Sequence, residues 1–225
     1  MTPILLNIKE ASRVVKSGGS QVSILDEIDL TVHEGEFISL MGPSGSGKST
    51  LLNCIGMLDA FTQGEYTFLD QDVHKMKDRN RSKLYKEYMG FVFQAYHLID
   101  ELTVQENIET PLIYKKVKPS ERKAMVADML DRFNIVGKKD LFPEQLSGGQ
   151  QQLVGIARAL VAHPKLILAD EPTGNLNSKQ RKEIMELFSE LNKEGVTIIQ
   201  ATHSEENASY GSRIVNLLDG RITTD

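Results

Sequence analysis

An apolar segment runs directly into a glycine-rich loop near residue 40, and this junction constrains the fold more than any other feature of the chain. Residues 37–41 (FISLM) are β-prone, and residues 48–58 carry apolar side chains at helical spacing. The loop between them, residues 42–50 (GPSGSGKST), matches the pattern G-x-x-x-x-G-K-[ST] in its required setting of a preceding strand and a following helix. This arrangement predicts an α/β chain with a largely parallel sheet.

The loop has the chemistry of a phosphate site. Its glycines allow backbone N–H groups to turn inward, and the following helix adds its positive N-terminal end. We expect Lys48 to reach the β- and γ-phosphates of a nucleotide and Ser49 to hold Mg²⁺. A turn that only caps a helix is the alternative, disfavoured because strand, helix and lysine are in register. The candidate residues are Gly42, Pro43, Ser44, Gly45, Ser46, Gly47, Lys48, Ser49 and Thr50.

Two carboxylates follow a second apolar segment in the last third of the chain. Residues 166–169 (LILA) run into Asp170 and Glu171, and α/β sheets place ligands at the carboxyl ends of their strands. Asp170 suits the organisation of Mg²⁺, whereas Glu171 suits a general base that orients or deprotonates the attacking water. A strand that ends at a solvated acidic turn is the alternative, and the phosphate loop makes it the weaker interpretation.

A third motif, residues 146–150 (LSGGQ), precedes an apolar helix. Ser147 is the predicted N-cap, and the two glycines leave this helix N-terminus open to an anion. Because one phosphate site is already supplied, a second one indicates a phosphate bound from another subunit; a simple helix cap is the alternative. The candidate residues are Ser147, Gly148, Gly149 and Gln150.

Hydrophobic periodicity organises the rest of the chain. Residues 4–8 and 27–32 are predicted strands on either side of a Ser/Gly-rich turn, and residues 95–162 are predicted to be mostly helical. Ser120 and Ser178 are predicted N-caps. The helix after Ser178 places one apolar face at Ile184, Leu187, Phe188 and Leu191. The predicted closing strands are residues 196–201, 213–218 and 221–224.

Composition excludes several classes of protein. Of the 225 residues, 26 are Lys or Arg and 31 are Asp or Glu, so the net charge is −5, which argues against a general nucleic-acid binder. No apolar window is long enough for a transmembrane helix, and the N-terminus does not have the pattern of a signal peptide. The single cysteine, Cys54, excludes an internal disulfide and a Cys-rich zinc site, and it is predicted to be a buried apolar residue.

Taken in order, the three motifs resemble those of the ATPase subunit of ABC transporters, over nearly the whole chain. The resemblance implies a single domain, residues 1–225, with a RecA-like P-loop NTPase core and an N-terminal antiparallel β subdomain in about 1–94 and 163–225. It also implies an inserted α-helical subdomain in about 95–162. Gln94 resembles the glutamine that touches Mg²⁺ and water, and His203 resembles the histidine that contacts the γ-phosphate. Read alone, they are a strand-end amide and a helix-capping imidazole.

Longer segments resemble the ATPases of lipoprotein release and macrolide export more closely. These segments are MGPSGSGKSTLLN, GFVFQAYHLI, LTVQENIETPL, LSGGQQQ and ILADEPTGNL. The resemblance implies ATP and Mg²⁺ as cofactors and a homodimer that holds each ATP between the phosphate loop of one copy and residues 147–150 of the other. It also implies a permease on a separate chain, docked beside Gln94 and the helical part. The protein would then be peripheral on the cytoplasmic face of the membrane.

Other functions compete with this interpretation. The similar cell-division ATPase signals through a membrane partner without transport, and partner identity separates the two functions. ABC proteins of DNA repair carry coiled-coil insertions and those of translation carry two cassettes, whereas this chain has one cassette and no heptad insertion. A P-loop kinase or GTPase is disfavoured by the LSGGQ segment and by the lack of an Asn-Lys-x-Asp motif.

Four places depart from the pattern of the resembled group. Val14 and Val15 stand where an aromatic side chain usually stacks on adenine, which is worth roughly 1–3 kcal/mol per base. Asn177 replaces the usual Asp, Leu153 the usual Arg, and Ser204 the usual Asp. Because the candidate catalytic residues are all retained, we predict an active ATPase.

Overall fold

A computed structural model describes residues 2–223 as two β-sheets with helices packed around them. The strands are β1 (Ile4–Ser17), β2 (Ser20–His33), β3 (Phe37–Met41), β4 (Gln63–Phe68), β5 (Gln71–Asp72), β6 (Met89–Phe93), β7 (Leu166–Asp170), β8 (Thr197–Thr202), β9 (Arg213–Leu218) and β10 (Arg221–Thr223). The helices are α1 (Lys48–Ile55), α2 (Asp78–Tyr88), α3 (Val104–Tyr114), α4 (Pro119–Arg132), α5 (Gly148–Leu160), α6 (Ser178–Lys193) and α7 (Glu205–Ala208). Two 3₁₀ turns lie at Val136–Lys138 and Pro143–Gln145.

The larger sheet has the order β10-β9-β3-β8-β7-β6 and is parallel except for β10. Its register brings the carboxyl ends of four strands to one edge. Met41 pairs with Thr202, and Asp170 pairs with Phe93 and with Ala201. The loops that follow these strands therefore meet at this edge, where ligands bind in open α/β sheets.

Both faces of the larger sheet are covered, so its central strands are mostly apolar, with Ser39 and Gln200 as buried polar exceptions. On β7, Leu166 and Leu168 belong to a core shared with α1 and the antiparallel sheet. Ile167 and Ala169 face a second core, shared with α3, α4, α5 and α6. The smaller sheet has the order β2-β1-β4-β5 and is antiparallel. The predicted α/β class, with an antiparallel sheet beside a parallel one, is confirmed.

Two predicted helix caps are wrong by one or two residues. The helix expected after Ser120 begins at Pro119 with Lys118 as N-cap, because a proline is preorganised for the first helical position. The helix expected after Ser178 instead includes Ser178. Its N-cap is Asn177, whose Oδ1 accepts a hydrogen bond from the Gln180 N–H at 3.0 Å.

Other boundaries also differ from the predictions. The strands expected at 4–8 and 27–32 are parts of the long hairpin β1–β2, which continues because the two strands pair along most of their length. Helix α1 ends at Ile55 rather than residue 58, and Leu187 is only half-buried. Strand β10 ends at Thr223; residue 224, which was included in the predicted strand, lies outside the described residues.

The predicted helical character of the middle of the chain is confirmed, since residues 104–160 contain only α-helices and 3₁₀ turns. The division into subdomains stays a prediction. Cys54 is 1% exposed and packs in the first core, as predicted. Between residues 2 and 223, no helix is long and apolar enough to cross a membrane.

Candidate active site

The phosphate loop joins β3 to α1 in a conformation that depends on glycine. Gly45 and Gly47 have φ of 83° and 105°, in the left-handed region that favours glycine. At Gly42, a Cβ atom would lie 2.1 Å from the Leu217 carbonyl oxygen, so no larger residue fits without movement of the backbone. The sequence therefore holds an open loop directly before the positive end of α1.

Lys48 is buried against this loop, although lysine is rarely buried. Its Nζ donates hydrogen bonds to the carbonyl oxygens of Gly42 at 2.7 Å and Pro43 at 3.0 Å. These bonds hold the ammonium group under the loop, so the loop carries a fixed positive charge.

A cavity of about 600 Å³ brings most of the predicted catalytic and phosphate-binding residues together. It opens at the carboxyl edge of the larger sheet. Its lining is Ile24, Ser44, Gly45, Gly47, Lys48, Ser49, Thr50, Gln94, Glu171 and His203. Gly42, Pro43 and Ser46 lie in the phosphate loop and Asp170 ends β7, and none of the four lines it directly. The predicted residues thus converge from four separate parts of the chain.

Glu171 and His203 form a pair inside this cavity. Oε1 of Glu171 lies 2.8 Å from Nδ1 of His203, and because an ionised carboxylate only accepts, Nδ1 carries the proton. The Glu171 carboxylate is mostly buried and the imidazole is exposed. Glu171 also has φ of 45°, a left-handed conformation that costs about 1 kcal/mol or more in a non-glycine residue. Strain of this kind concentrates at functional sites.

Gln94 follows β6 and is held by a residue far away in sequence. Its Nε2 donates to Oδ1 of Asn175 at 3.2 Å, and Nδ2 of Asn175 donates to the Gln94 carbonyl oxygen at 3.0 Å. This reciprocal pair joins the loop after β6 to the loop after Glu171. Asn175 occurs in the ILADEPTGNL segment, but nothing in its local sequence predicts this pairing.

The residues around Asp170 fit a magnesium ion bound together with a nucleotide. Oδ1 of Asp170 and Oγ of Ser46 are buried, and neither has a hydrogen-bond partner within residues 2–223. In that same part of the chain, no three His, Cys, Asp or Glu residues are grouped as metal ligands. Mg²⁺ suits such a place because it usually takes one or two carboxylates, several waters and the phosphates of its substrate. Ser49, Gln94 and Asp170 are the residues that would hold it.

Residues 147–150 of the third motif do not line this cavity. Ser147 is the N-cap of α5, as predicted, and it forms a reciprocal capping box with Gln150. The Gln150 N–H donates to Oγ of Ser147 at 3.4 Å, and the Ser147 N–H donates to Oε1 of Gln150 at 3.0 Å. Gly149 packs against Gln180 of α6. Within one copy, this helix end is separate from the phosphate loop.

Arg158 is a residue that the sequence analysis missed. It lies on α5, and its guanidinium donates to the carbonyl oxygens of His97 at 2.6 Å and Tyr96 at 2.9 Å. Burial lowers the pKa of Arg158 and raises the pKa of the Tyr96 hydroxyl. Tyr96 and His97 both have left-handed φ angles, 60° and 47°, so the arginine holds a strained turn directly after Gln94. An arginine inside the otherwise apolar run LVGIARAL was the available signal.

The cavity lining contains no aromatic side chain of the Phe, Tyr or Trp type. Val14 and Val15 are half-buried on β1, and Ile24 of β2 supplies an aliphatic wall. The weaker adenine stacking that the sequence implies stays a prediction.

Comparison with known proteins identifies several relatives. The model of the ABC transporter family matches residues 25–174. An uncharacterized ABC transporter ATP-binding protein, YvrO of Bacillus subtilis, is 47% identical over 98% of this chain and 96% of its own length. The macrolide export ATP-binding/permease protein MacB of Wolinella succinogenes is 45% identical over 97% of this chain. Only 34% of that longer protein is covered.

Two solved structures share the architecture. The dimeric post-hydrolysis state of the ATP-binding cassette MJ0796, bound to ADP and Pi, has a TM-score of 0.90 and 41% identity, and 97% of each chain is covered. The dimeric structure of MJ0796, described as a bacterial ABC transporter cassette, also has a TM-score of 0.90, with 42% identity over 97% of each chain.

Proposed function

Because the chain belongs to the ABC transporter family and is one of its ATPase cassettes, we propose that it hydrolyses ATP as a homodimer to drive a separate membrane permease of the export or lipoprotein-extraction type. The observation that carries the proposal is the cavity at the carboxyl edge of the larger sheet. It combines the phosphate loop, Gln94 and the Glu171–His203 pair. This combination is suited to positioning a triphosphate and activating a water molecule beside it.

In this proposal, ATP places its phosphates in the loop before α1. Backbone N–H groups of residues 44–49 and the positive end of α1 bind the phosphate oxygens, and the Lys48 ammonium adds a full charge. Mg²⁺, when bound, neutralises charge on the β- and γ-phosphates. Ser49, Gln94 and Asp170 would hold that ion, and the unpartnered Oδ1 of Asp170 supports this role.

Glu171 is the general base. Its carboxylate orients the attacking water and accepts a proton as the water oxygen bonds to the γ-phosphorus. The bond from that phosphorus to the bridging oxygen breaks in the same displacement, so ADP leaves and inorganic phosphate is the second product. His203 donates from Nδ1 to this carboxylate, which fixes the orientation of both side chains. Nε2 can donate to a γ-phosphate oxygen when the ring carries a second proton, because only the imidazolium form donates from both nitrogens. The pair therefore positions base and phosphate contact together.

The second half of each site comes from a second copy. In one chain, Ser147 and the two glycines at the start of α5 lie outside the cavity. Ser147 is exposed, so this side of the helix N-terminus is accessible to the phosphate of another subunit. The dimeric structures of MJ0796 support this arrangement. ATP then stabilises the dimer, and hydrolysis weakens it.

The permease docks in an apolar groove beside Gln94. This groove, of about 600 Å³, lies between the β6 end and helices α3 and α5. Its apolar lining includes Met89, Phe91, Phe93, Ile99 and Pro111. The relatives named ATP-binding/permease proteins support a membrane partner of this kind. The chain would then act at the cytoplasmic face of the membrane.

The test is the substitution Glu171→Gln, which keeps the size of the side chain and removes the base. We expect ATP binding to remain and turnover to fall about 100- to 10,000-fold, the usual contribution of a general base. The ATP-bound variant is expected to elute as a dimer in size-exclusion chromatography. Glu190→Gln on the exposed side of α6 is the matched control and should retain turnover.

Retention of turnover in Glu171→Gln would contradict the assignment of the base. The same ATP-locked variant, tagged and purified from detergent-solubilised membranes, tests the partner by mass spectrometry. A permease with a large extracytoplasmic domain supports export or extraction. A partner tied to cell-wall hydrolases instead supports the signalling alternative.

A further inference from the structure

We propose that a lysine-rich surface beside the permease groove binds the anionic headgroups of the membrane. The surface is a concavity of about 510 Å³ between α2 and the end of α3, here called the lysine concavity. Its cationic lining residues are Lys83, Lys86, Lys115 and Lys116, and Glu87 is its acidic one. The inference rests in part on the proposed function, which places the chain at a membrane.

The charge of this region is opposite to that of the chain. Residues 72–88 and 114–118 contain nine Lys or Arg and three Asp or Glu, although the net charge of the whole chain is −5. A strongly basic region on an acidic protein concentrates positive potential on one side of the molecule. It therefore favours an anionic partner on that side.

The lysines of the concavity have two different roles. Nζ of Lys115 donates to the carbonyl oxygens of Glu87 at 2.8 Å and Ala162 at 2.9 Å, so this lysine is committed to the fold. By contrast, no carboxylate among residues 2–223 lies within 4.0 Å of Nζ of Lys83 or Lys116. These two ammonium groups are available to an external anion.

An exposed aromatic ring borders the same surface. Tyr114 is 65% exposed, and Nζ of Lys86 lies 5.3 Å from its ring centroid. Tyr114 and Lys86 also line the apolar groove beside Gln94, so the two surfaces are continuous. Tyrosine next to lysine is the pairing found where proteins meet the interfacial region of a bilayer.

These observations favour lipid headgroups over an acidic protein segment. Lysine ammonium groups act as point charges on flexible stems, whereas bidentate recognition of carboxylates prefers the planar fork of arginine. The concavity is open, and anionic headgroups near its rim need no fixed register. Each basic residue close to an anionic bilayer is worth about a fivefold gain in binding.

The test measures binding of the full chain to vesicles by co-sedimentation. The two vesicle types are phosphatidylcholine alone and phosphatidylcholine containing phosphatidylglycerol. We expect binding to the anionic vesicles only, weakening as salt shortens the Debye length to about 10 Å or less. The double variant Lys83→Gln/Lys116→Gln should bind the anionic vesicles about 25-fold more weakly.

The matched control is Lys123→Gln/Lys193→Gln, which removes two exposed lysines elsewhere and should bind like the wild type. ATP turnover without lipid is measured for every variant and should be unchanged by either pair. This second readout separates the two proposals: if the wild type has no ATP turnover, the proposed function is contradicted, whereas vesicle binding is still tested independently.

Three results would overturn the inference. One is equal binding to neutral and anionic vesicles. A second is equal loss of binding in the two double variants. The third is that the wild type does not bind vesicles, whereas it captures a detergent-solubilised membrane protein that Lys83→Gln/Lys116→Gln does not capture; the surface would then bind an acidic protein segment and not lipid.

Discussion

Replacement of Arg158 by methionine should damage turnover more than it damages nucleotide binding. The guanidinium supplies a half-buried hydrogen bond to the Tyr96 carbonyl and an exposed one to the His97 carbonyl. A hydrogen bond to a charged group contributes about 1.5–3 kcal/mol, and the exposed bond contributes least because water replaces it. After the cost of burying the guanidinium, we expect the methionine variant to lose about 2 kcal/mol of unfolding free energy.

The effect on catalysis follows from the turn that Arg158 holds. Left-handed φ angles at Tyr96 and His97 cost about 1 kcal/mol or more each, and the arginine offsets that cost. Without it, the turn relaxes and Gln94, two residues earlier, loses its position in the cavity. A loss of about 1.4 kcal/mol in transition-state stabilisation is a tenfold fall in kcat, and this is the minimum that we expect. The KM for ATP should change less, because the phosphate loop is untouched.

The assay combines urea unfolding, followed by circular dichroism because the chain has no tryptophan, with steady-state phosphate release. Arg158→Lys is the matched variant: it keeps the charge but lacks the planar fork that reaches both carbonyl groups, so its kcat should be intermediate. The reasoning is refuted if Arg158→Met loses stability but keeps the kcat of the wild type. Arg158 would then be a purely structural residue.

Two further predictions concern stability. Asn177→Ala should lower the free energy of unfolding by about 1 kcal/mol, because it removes the side chain that accepts a hydrogen bond from the Gln180 N–H. Asn177→Asp should keep or slightly raise the melting temperature, because aspartate is also an N-cap residue and adds a negative charge at the helix N-terminus. Equal melting temperatures for the wild type and both variants would contradict this. Burial, with a smaller contribution from Asp59, raises the pKa of the Cys54 thiol from 9.0 to about 12. As pH rises, the thiol of the unfolded chain therefore loses its proton first, and the free energy of unfolding falls between pH 9 and pH 12. Between pH 8 and pH 10, wild type should therefore lose about 1.4 kcal/mol more than Cys54→Ala in urea unfolding, and parallel losses would show that the thiol does not titrate in this way.

Local patterns account for most of what the sequence predicted. The phosphate loop, the Ser147 cap and the strand before Asp170 each depend on neighbouring residues, and each has its predicted conformation. The two misplaced caps depend on choices between adjacent polar residues. Ser178 and Asn177 are both good N-cap residues, and only the geometry of the loop selects Asn177.

Features that depend on distant contacts could not be read from the chain. Strand β4 has little apolar character (QGEYTF), and it is a strand because Tyr66 pairs with Ile8 and Phe68 with Leu6 of β1. The Gln94–Asn175 pair joins residues 81 positions apart. Sequence spacing contains no information on such contacts, although both partners are themselves visible as polar residues in loops.

Helix α5 has a mechanical consequence. It begins at the Ser147 cap and, about three turns later, carries the arginine bonded to the turn at Tyr96. An α-helix of 13 residues is about 20 Å long and behaves as a rigid body, so a displacement of one end also moves the other end. A tilt of the helix at Ser147 therefore moves the wall of the apolar groove at Arg158. In the same way, a displacement of that wall moves the start of the helix.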